Sequence, residues 1–149
     1  MVVVAFGSNI GDRHRNIVDA AAQVAALLSS FRLSAIIQTQ PVGDGLENDP
    51  PYLNAVGVGE SSLSPRELLE ALQAIEAAAG RTRPHPGAPR TLDLDLILVG
   101  DQVVDEPGLE VPHPRFRERR FVLEPLAELE PDLRDPVTGL TIQALLNRL

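Results

Sequence analysis

Residues 91–99, TLDLDLILV, form the clearest strand pattern in the sequence and contain its most informative pair of charges. Successive side chains of a strand point to opposite faces, so the four leucines are predicted to share one face. The opposite face is predicted to carry Asp93, Asp95, Ile97 and Val99. A face made wholly of leucine indicates a strand that packs on a hydrophobic core and holds two carboxylates on its other side.

Three earlier stretches of the chain also have the composition of strands. They are residues 2–6, 33–40 and 52–60. The first is a β-branched run followed by Gly7, which begins a tight strand-to-helix turn. In the third, Gly57 and Gly59 share a face with Ala55, and residues this small are predicted to let a helix approach closely.

Helical patterns lie between these strands and again after the last one. An amphipathic helix is predicted over about residues 13–30, with Asp12 as its N-cap. A second helix begins at residues 64–67, SPRE, which form a capping box with proline at the first helical position. Helical spacing returns over residues 121–129 and 142–149. The last two patterns predict a helical C-terminal extension.

The resulting order of elements is β-α-β-β-α-β, followed by the C-terminal helices. This order predicts an α+β domain of the ferredoxin-like type, an antiparallel sheet with helices packed on it. It differs from the regular alternation of strand and helix that is typical of parallel sheets. A length of 149 residues is expected for one domain, so we assign residues 1–149 to a single domain.

Composition excludes several kinds of chemistry. The chain has no Cys, which excludes disulfides and thiolate sites, and all 13 basic residues are Arg, which excludes a Schiff-base or phosphate-loop lysine. The net charge of −8 argues against binding to nucleic acid or to an anionic membrane. The N-terminal apolar run is too short for an export or membrane signal, so a cytoplasmic location is expected.

The two carboxylates of the leucine-rich strand are the first candidates for chemistry. Asp93 and Asp95 are two residues apart, so their side chains project together, next to a stretch rich in arginine. Paired carboxylates with nearby guanidinium groups suit Mg²⁺ bound to a substrate that carries phosphates. The alternative is a half-exposed strand with two solvated acids. The leucine face and the neighbouring arginines favour the metal site.

Other candidates are arranged around this pair along the sequence. Seven of the 13 arginines lie within residues 81–120, and guanidinium groups bind phosphate bidentately. His113 stands between two prolines, which fix its backbone. Tyr52 and Asn54 face the same side of their strand, where a ring and an amide could stack on and hydrogen-bond a flat heterocycle. The alternative is that both are ordinary core and edge residues.

Several ordered segments together resemble one family, the 6-hydroxymethyl-7,8-dihydropterin pyrophosphokinases of folate biosynthesis. The resemblance spans residues 4 to about 131. Its segments are GSNIGDR at 7–13, YLNAV at 52–56, IE at 75–76, GRTR at 80–83, PRTLDLD at 89–95 and VPHP at 111–114. Arg119 and Phe121 follow at the distance that the family pattern requires.

The resemblance implies a ferredoxin-like fold and an ATP-dependent pyrophosphokinase. Such an enzyme transfers the β,γ-pyrophosphoryl group of MgATP, its co-substrate, to the hydroxymethyl oxygen of the pterin and releases AMP. Two Mg²⁺ ions are implied, with Asp93 and Asp95 as ligands, and Arg81 and Arg90 complete the implied catalytic set. The implied ATP-binding residues are Gln73, Glu76, Arg81, Arg90, His113 and Arg119. The implied pterin-binding residues are Thr39, Val42, Tyr52, Asn54 and Phe121.

The chain departs from the family pattern in one loop. Residues 84–88, PHPGA, stand where family members commonly have a longer stretch with a Trp that closes over the pterin, and this chain has no Trp. Two other functions compete with the kinase: a nucleotide-binding regulatory domain and a metal-dependent phosphodiesterase. An intact Asp93/Asp95 pair argues against the first, and a requirement for a pterin acceptor would exclude the second. The expected partners are small molecules only, and we expect a monomer.

Overall fold

A computed structural model describes residues 1–39, 51–79 and 92–149 of the chain. The strands in these ranges are β1 (Val2–Ser8), β2 (Ser29–Leu33), β3 (Ile37–Thr39), β4 (Tyr52–Glu60), β5 (Asp93–Val99), β6 (Val104–Glu106) and β7 (Leu109–Val111). The helices are α1 (Arg13–Ala25), α2 (Pro65–Ala78), α3 (Arg120–Leu129) and α4 (Ile142–Asn147), with a 3-10 turn at Phe116–Glu118. Among the described residues, no helix is long and apolar enough to span a membrane.

The main sheet has the antiparallel order β2-β4-β1-β5, and β3 also pairs with β4. The first strand of the chain is therefore central, between β4 and β5, which are distant in sequence. This is the ferredoxin-like arrangement that the order of elements predicted. A separate hairpin is formed by β6 and β7, with its turn between Glu106 and Leu109.

The sheet is covered by helices on both faces. On one face, α1 and α2 pack against a core that includes Phe6, Ile17 and Leu72. On the other face, α3 and α4 pack against a second core around Val56 and Phe116. Because α4 contributes to this second core, the C-terminal extension is an integral layer of the fold. The two helices after β5 thus cover the face of the sheet that α1 and α2 leave open.

The predicted helix starts are confirmed. Asp12 accepts a hydrogen bond from the backbone N–H of Arg15 at 3.2 Å, and this N-cap begins α1. Ser64 and Glu67 form both hydrogen bonds of a capping box at the start of α2. Side chains that satisfy the first N–H groups of a helix stabilise it by about 1 kcal/mol each. Local sequence therefore decides where both helices begin.

The predicted second strand and the predicted end of α1 are wrong in detail. The helix ends at Ala25. In place of one strand over residues 33–40, the chain forms β2, which ends at Leu33, and β3, which begins at Ile37. The break centres on Ser34, whose N–H donates to the Val56 carbonyl at 2.8 Å while its hydroxyl accepts the Val56 N–H at 2.9 Å. A side chain here replaces a backbone acceptor, so the two strand segments pair with β4 on either side of an interruption.

The predicted leucine face of β5 is wrong at its C-terminal end. Val3 pairs with Leu98 but Val4 pairs with Leu96, so Ile97 is an extra residue and forms a β-bulge. Beyond the bulge each side chain lies on the face opposite to the predicted one: Leu98 joins Ile97 in the core under α3, and Val99 packs on the α1 side. The two aspartates precede the bulge and keep the alternation that the sequence predicted.

The small residues of β4 do accommodate close neighbours, but these neighbours do not belong to a helix. A Cβ at Gly59 would lie 2.8 Å from the Cβ of Leu28, directly after α1. A Cβ at Gly57 would lie 2.6 Å from the Phe31 ring, which belongs to the adjacent strand β2. The predicted helix approach is thus not confirmed at either glycine: the turn after α1 lies against Gly59, and an aromatic ring occupies the space above Gly57.

Candidate active site

Three residues on neighbouring strands form a row across the sheet. Gly7 of β1 pairs with Asp93 of β5 on one side and with Asn54 of β4 on the other. Paired residues of antiparallel strands share a face, and this row lies two residues from Ala5 and Val56, which belong to the core under α3. The sheet therefore places a carboxylate and an amide on either side of a glycine, on the face that α3 covers.

The middle residue of this row, Gly7, has no side chain. A Cβ at this position would lie 3.3 Å from Oδ1 of Asn54 and 3.6 Å from Cδ1 of Tyr52. The absent side chain leaves a floor of backbone between the two strands, and the Asn54 amide and the Tyr52 ring lie against it. We interpreted Gly7 from sequence as the start of a turn, whereas it lies inside β1. A glycine within a strand often marks the close approach of a ligand or another backbone, and that signal was available in the sequence.

The structure brings together three of the predicted pterin residues on β3 and β4. Thr39 pairs with Tyr52, and the Asn54 amide donates from Nδ2 to Oγ1 of Thr39 at 2.5 Å. Asn54 is buried, with 7% of its surface exposed, so a satisfied amide is expected there. With its nitrogen on Thr39, the amide holds Oδ1 against the backbone of Gly7, 3.3 Å from where a Cβ would lie. Another predicted pterin residue, Val42, lies outside the described residues.

The N-terminal end of α3 brings two further predicted residues to the carboxylates. The guanidinium of Arg119 lies with Nη1 3.8 Å from Oδ2 of Asp95. The same guanidinium is 5.6 Å from the centre of the Phe121 ring, within the range of a cation–π contact. Arg119 and Asp95 are half-buried, at 28% and 34% exposure, so the pair is accessible to a ligand. Charge and an aromatic surface thus lie side by side next to β5.

The β-bulge holds the predicted histidine. The N–H of His113 donates to the carbonyl of Ile97, the extra residue of β5, at 2.9 Å. The Nδ1 of the ring accepts the N–H of Arg115 at 3.2 Å, so a neutral imidazole carries its proton on Nε2. Burial, with the nearby charges of Arg119 and Arg115, lowers the pKa of His113, while Asp93 opposes them. The lowered pKa favours the neutral ring, in which Nε2–H is the group that can donate a hydrogen bond.

Glu76 joins α2 to the strand that carries the carboxylates. Its Oε2 accepts the backbone N–H of Leu94 at 2.7 Å, between the two aspartates. Gln73 is exposed one turn earlier, and no hydrogen bond joins it to the other described site residues. Resemblance implied that both contact the nucleotide. The structure gives Glu76 a contact that the sequence did not predict, because nothing in the sequence pairs a helix side chain with a strand N–H.

The remaining predicted residues, Arg81 and Arg90, lie outside the described residues. Those that the structure describes, apart from Gln73, surround the row of Asp93, Gly7 and Asn54. Two carboxylates that project together from one strand are a donor set that Mg²⁺ accepts, since this ion usually takes one or two carboxylates and substrate phosphate oxygens. An α+β fold with this donor set agrees with an enzyme of the phosphoryl-transfer class.

Comparison with known proteins identifies the family. The family model described as 7,8-dihydro-6-hydroxymethylpterin-pyrophosphokinase (HPPK) matches residues 3–131. A 2-amino-4-hydroxy-6-hydroxymethyldihydropteridine pyrophosphokinase of Pseudomonas aeruginosa is 44% identical over 138 residues, covering 91% of this chain and 83% of the relative. A Bacillus subtilis protein of the same name is 44% identical over 128 residues, covering 85% and 75%. The chain therefore belongs to the HPPK family.

Solved structures show the same fold. A chain described as HPPK-DHPS in complex with substrates superposes with a TM-score of 0.75 at 13% identity, covering 99% of this chain and 43% of that one. A Plasmodium falciparum HPPK-DHPS chain gives the same score at 14% identity, with 45% of its length covered. This chain thus spans less than half the length of those structures, and the likeness concerns the fold alone.

Family membership confirms the predicted activity. The chain is an ATP-dependent pyrophosphokinase that transfers the pyrophosphoryl group of ATP to hydroxymethyldihydropterin in folate biosynthesis. The competing functions considered from the sequence, a regulatory domain and a phosphodiesterase, do not agree with this membership.

Proposed function

We propose that the row of Asp93, Gly7 and Asn54 is the centre of the active site, where the pyrophosphoryl group meets the pterin. One observation carries the proposal: a carboxylate and a buried amide lie on either side of a glycine floor, in register across three strands. The residues on the β5 side, Asp93, Asp95, His113 and Arg119, are termed the phosphate half. The residues of β3 and β4, Thr39, Tyr52 and Asn54, together with Phe121, are termed the pterin half.

In the phosphate half, Asp93 and Asp95 are proposed to hold Mg²⁺, and two ions are proposed by resemblance to the family. When bound, the metal neutralises charge on the phosphates and draws electron density from the phosphorus. The carboxylates suit this role because they project together and are half-buried. Phosphoryl transfer depends mainly on alignment and charge stabilisation, which agrees with a chain that has no Cys or Lys nucleophile.

His113 and Arg119 are proposed to hold oxygens of the triphosphate. A neutral imidazole with its proton on Nε2 donates one hydrogen bond, and the Arg119 guanidinium supplies a positive charge 3.8 Å from Asp95. Gln73, Glu76, Arg81 and Arg90 complete the proposed ATP contacts. Their assignment rests on the resemblance of the sequence motifs.

In the pterin half, Asn54 is proposed to recognise the edge of the heterocycle. Its Nδ2 donates to Thr39, so Oδ1 is the atom that is proposed to accept a hydrogen bond from an N–H of the pterin. Tyr52 and Phe121 supply flat surfaces for the ring, and Val42 is proposed as a further lining residue. A fixed acceptor between aromatic surfaces orients a planar ligand before the reaction.

Product analysis tests the proposed reaction. The protein is incubated with MgATP, with and without 6-hydroxymethyl-7,8-dihydropterin, and the nucleotide products are separated. AMP that forms only with the pterin is the expected result. ADP, or AMP in the absence of the pterin, contradicts the proposal.

The proposal includes one domain over residues 1–149 that acts as a monomer in the cytoplasm. Light scattering of the purified chain tests the monomer, and a mass twice that calculated from the sequence contradicts it.

A further inference from the structure

A fully buried carboxylate lies outside the active site, in the loop before α4. Asp135 has no exposed surface and accepts four hydrogen bonds. Arg117 donates two of them, from Nε at 2.5 Å and from Nη2 at 2.9 Å. Val137 N–H donates at 3.0 Å and the Thr138 hydroxyl at 2.7 Å. A carboxylate is rarely buried unless it is paired, and here every lone-pair direction has a donor.

The loop around Asp135 is closed on itself. The Asp135 N–H donates to the Leu140 carbonyl at 2.9 Å, and its carbonyl accepts the Gly139 N–H at 2.8 Å. Gly139 has φ of +75°, a left-handed conformation that glycine adopts readily. Thr141 then caps α4, which packs in the core under the sheet. The carboxylate is thus presented from a firmly fixed part of the fold.

Its partner Arg117 lies in the 3-10 turn that leads into the active site. The guanidinium stacks 4.8 Å from the centre of the buried Phe116 ring, in the same turn. The N–H of Arg119 donates to the Phe116 carbonyl at 3.2 Å, so the turn determines where the backbone of Arg119 lies. Arg119 is the N-cap of α3 and makes no capping hydrogen bond with its side chain. The start of α3 therefore depends on the turn for its position.

We propose that Asp135 is a positioning residue for the active site. Through the bidentate bond to Arg117 it fixes the 3-10 turn, and the turn sets Arg119 and Phe121 against Asp95 and the pterin. The inference rests on the roles assigned to Arg119 and Phe121 above. Small displacements of groups that orient substrates have large effects on rate. A residue that fixes such groups from a distance, as Asp135 does, is therefore expected to affect the reaction.

The competing explanation is an ion pair that stabilises the fold and has no effect on substrates. The variant Asp135→Asn keeps the size of the side chain and removes its charge. Glu130→Gln is the matched control, because Glu130 forms an ion pair with Arg32 of β2 at the opposite end of α3. Both variants are assayed well below their measured Tm, with kcat, the KM for each substrate, and pterin affinity in the presence of an unreactive ATP analogue as readouts.

The positioning role predicts that Asp135→Asn raises the KM for pterin by about tenfold, whereas Glu130→Gln stays within about twofold of the parent. A lower Tm with unchanged kcat and KM in Asp135→Asn overturns the proposal. Failure of the proposed site is distinguishable, because then Phe121→Ala in the parent background also leaves pterin affinity unchanged.

A second variant decides the matter if Asp135→Asn does not fold. Arg117→Lys keeps the positive charge but loses the planar fork that makes two parallel bonds. Its KM for pterin is expected to rise by about fivefold, in line with a less well fixed turn. An unchanged KM in this variant overturns the proposal on its own.

Discussion

The two halves of the active site are held by hydrogen bonds of different kinds. In the pterin half, the bond from Asn54 to Thr39 fixes the side chain that is proposed to read the ligand. In the phosphate half, the bond from Leu94 to Glu76 fixes only the backbone between Asp93 and Asp95. Recognition of a neutral heterocycle needs an acceptor in a set direction, whereas a metal ion draws carboxylates to itself. The comparison predicts that the two halves fail separately when they are altered.

The largest effect is expected for the carboxylates of the phosphate half. Asp93→Asn and Asp95→Asn should each lower kcat by about a hundredfold or more, because each removes charge that stabilises the transition state. Both side chains are half-buried, so the fold should survive, with an unchanged circular dichroism spectrum. Asp105→Asn, on the exposed hairpin strand β6, is the control and should keep full activity. Normal turnover of both variants at limiting Mg²⁺ contradicts the metal assignment.

The comparison extends to two arginine–carboxylate pairs whose arginines lie in one segment: the carboxylate of Asp95, beside Arg119, is half-buried, whereas that of Asp135, beside Arg117, is fully buried. Although burial raises the pKa of Asp135, hydrogen bonds from Arg117, Thr138 and Val137 and the charge of Arg117 lower it to about 2. A lowered pKa stabilises the fold above the unfolded value near 4, and this stability is lost as the pH falls toward 2. We expect the pair to contribute about 2 kcal/mol that disappears in this window.

Urea denaturation at pH 5 and pH 3 measures about half of this loss, because pH 3 is still above the pKa of Asp135 in the folded protein. The parent should lose more stability on acidification than Asp135→Asn, whose amide does not titrate. Equal losses in the two proteins show that other carboxylates dominate the acid response.

In the pterin half, Phe121→Ala should weaken pterin binding and leave nucleotide affinity nearly unchanged. The lost ring contact is worth about 0.5–1.5 kcal/mol beyond buried area, which corresponds to roughly a threefold to tenfold rise in Kd. Titration calorimetry with the pterin and an unreactive ATP analogue measures both affinities. Equal weakening of both ligands instead identifies Phe121 as a residue of the core.

The smallest effect is expected for Thr39→Val. This variant tests most directly whether the pterin half can be altered without affecting the phosphate half. Thr39→Val keeps the shape of the side chain and removes the acceptor that fixes Asn54, which costs about 1 kcal/mol or roughly a fivefold rise in pterin Kd. kcat at saturating pterin should not change, because the phosphate half is untouched. A fall in kcat with constant pterin affinity shows that the halves are coupled and that the comparison is wrong.

The sequence predicted the fold well where a local pattern decides it. Asp12 and the capping box at residues 64–67 begin helices in the structure because their side chains satisfy neighbouring N–H groups. The break at Ser34 and the bulge at Ile97 were missed, since each depends on a partner strand that is distant in the chain. Periodicity in one strand cannot reveal what the adjacent strand does to its register.

The site, like the fold, was predicted where a local pattern decides it and missed where distant residues meet. Alternation on a strand was enough to place Asp93 beside Asp95 and Tyr52 near Asn54. The floor at Gly7 and the bond from Glu76 to Leu94 required the tertiary fold, because one is an absent side chain and the other joins a helix to a strand. The pairing of Arg117 with Asp135 links residues 18 apart and has no periodic signal.

The bulge at Ile97 divides β5 into two segments that respond independently to mutation. The first segment carries the aspartates, whereas the second contributes Ile97 and Leu98 to one core and Val99 to the other. Removing Ile97 would leave Leu96 paired with Val4 and Leu98 paired with Val3, so Leu98 and Val99 would keep their faces, as would Asp93 and Asp95. Deletion of Ile97 is therefore expected to remove the carbonyl that holds His113 and one core side chain, but not to move the proposed metal ligands.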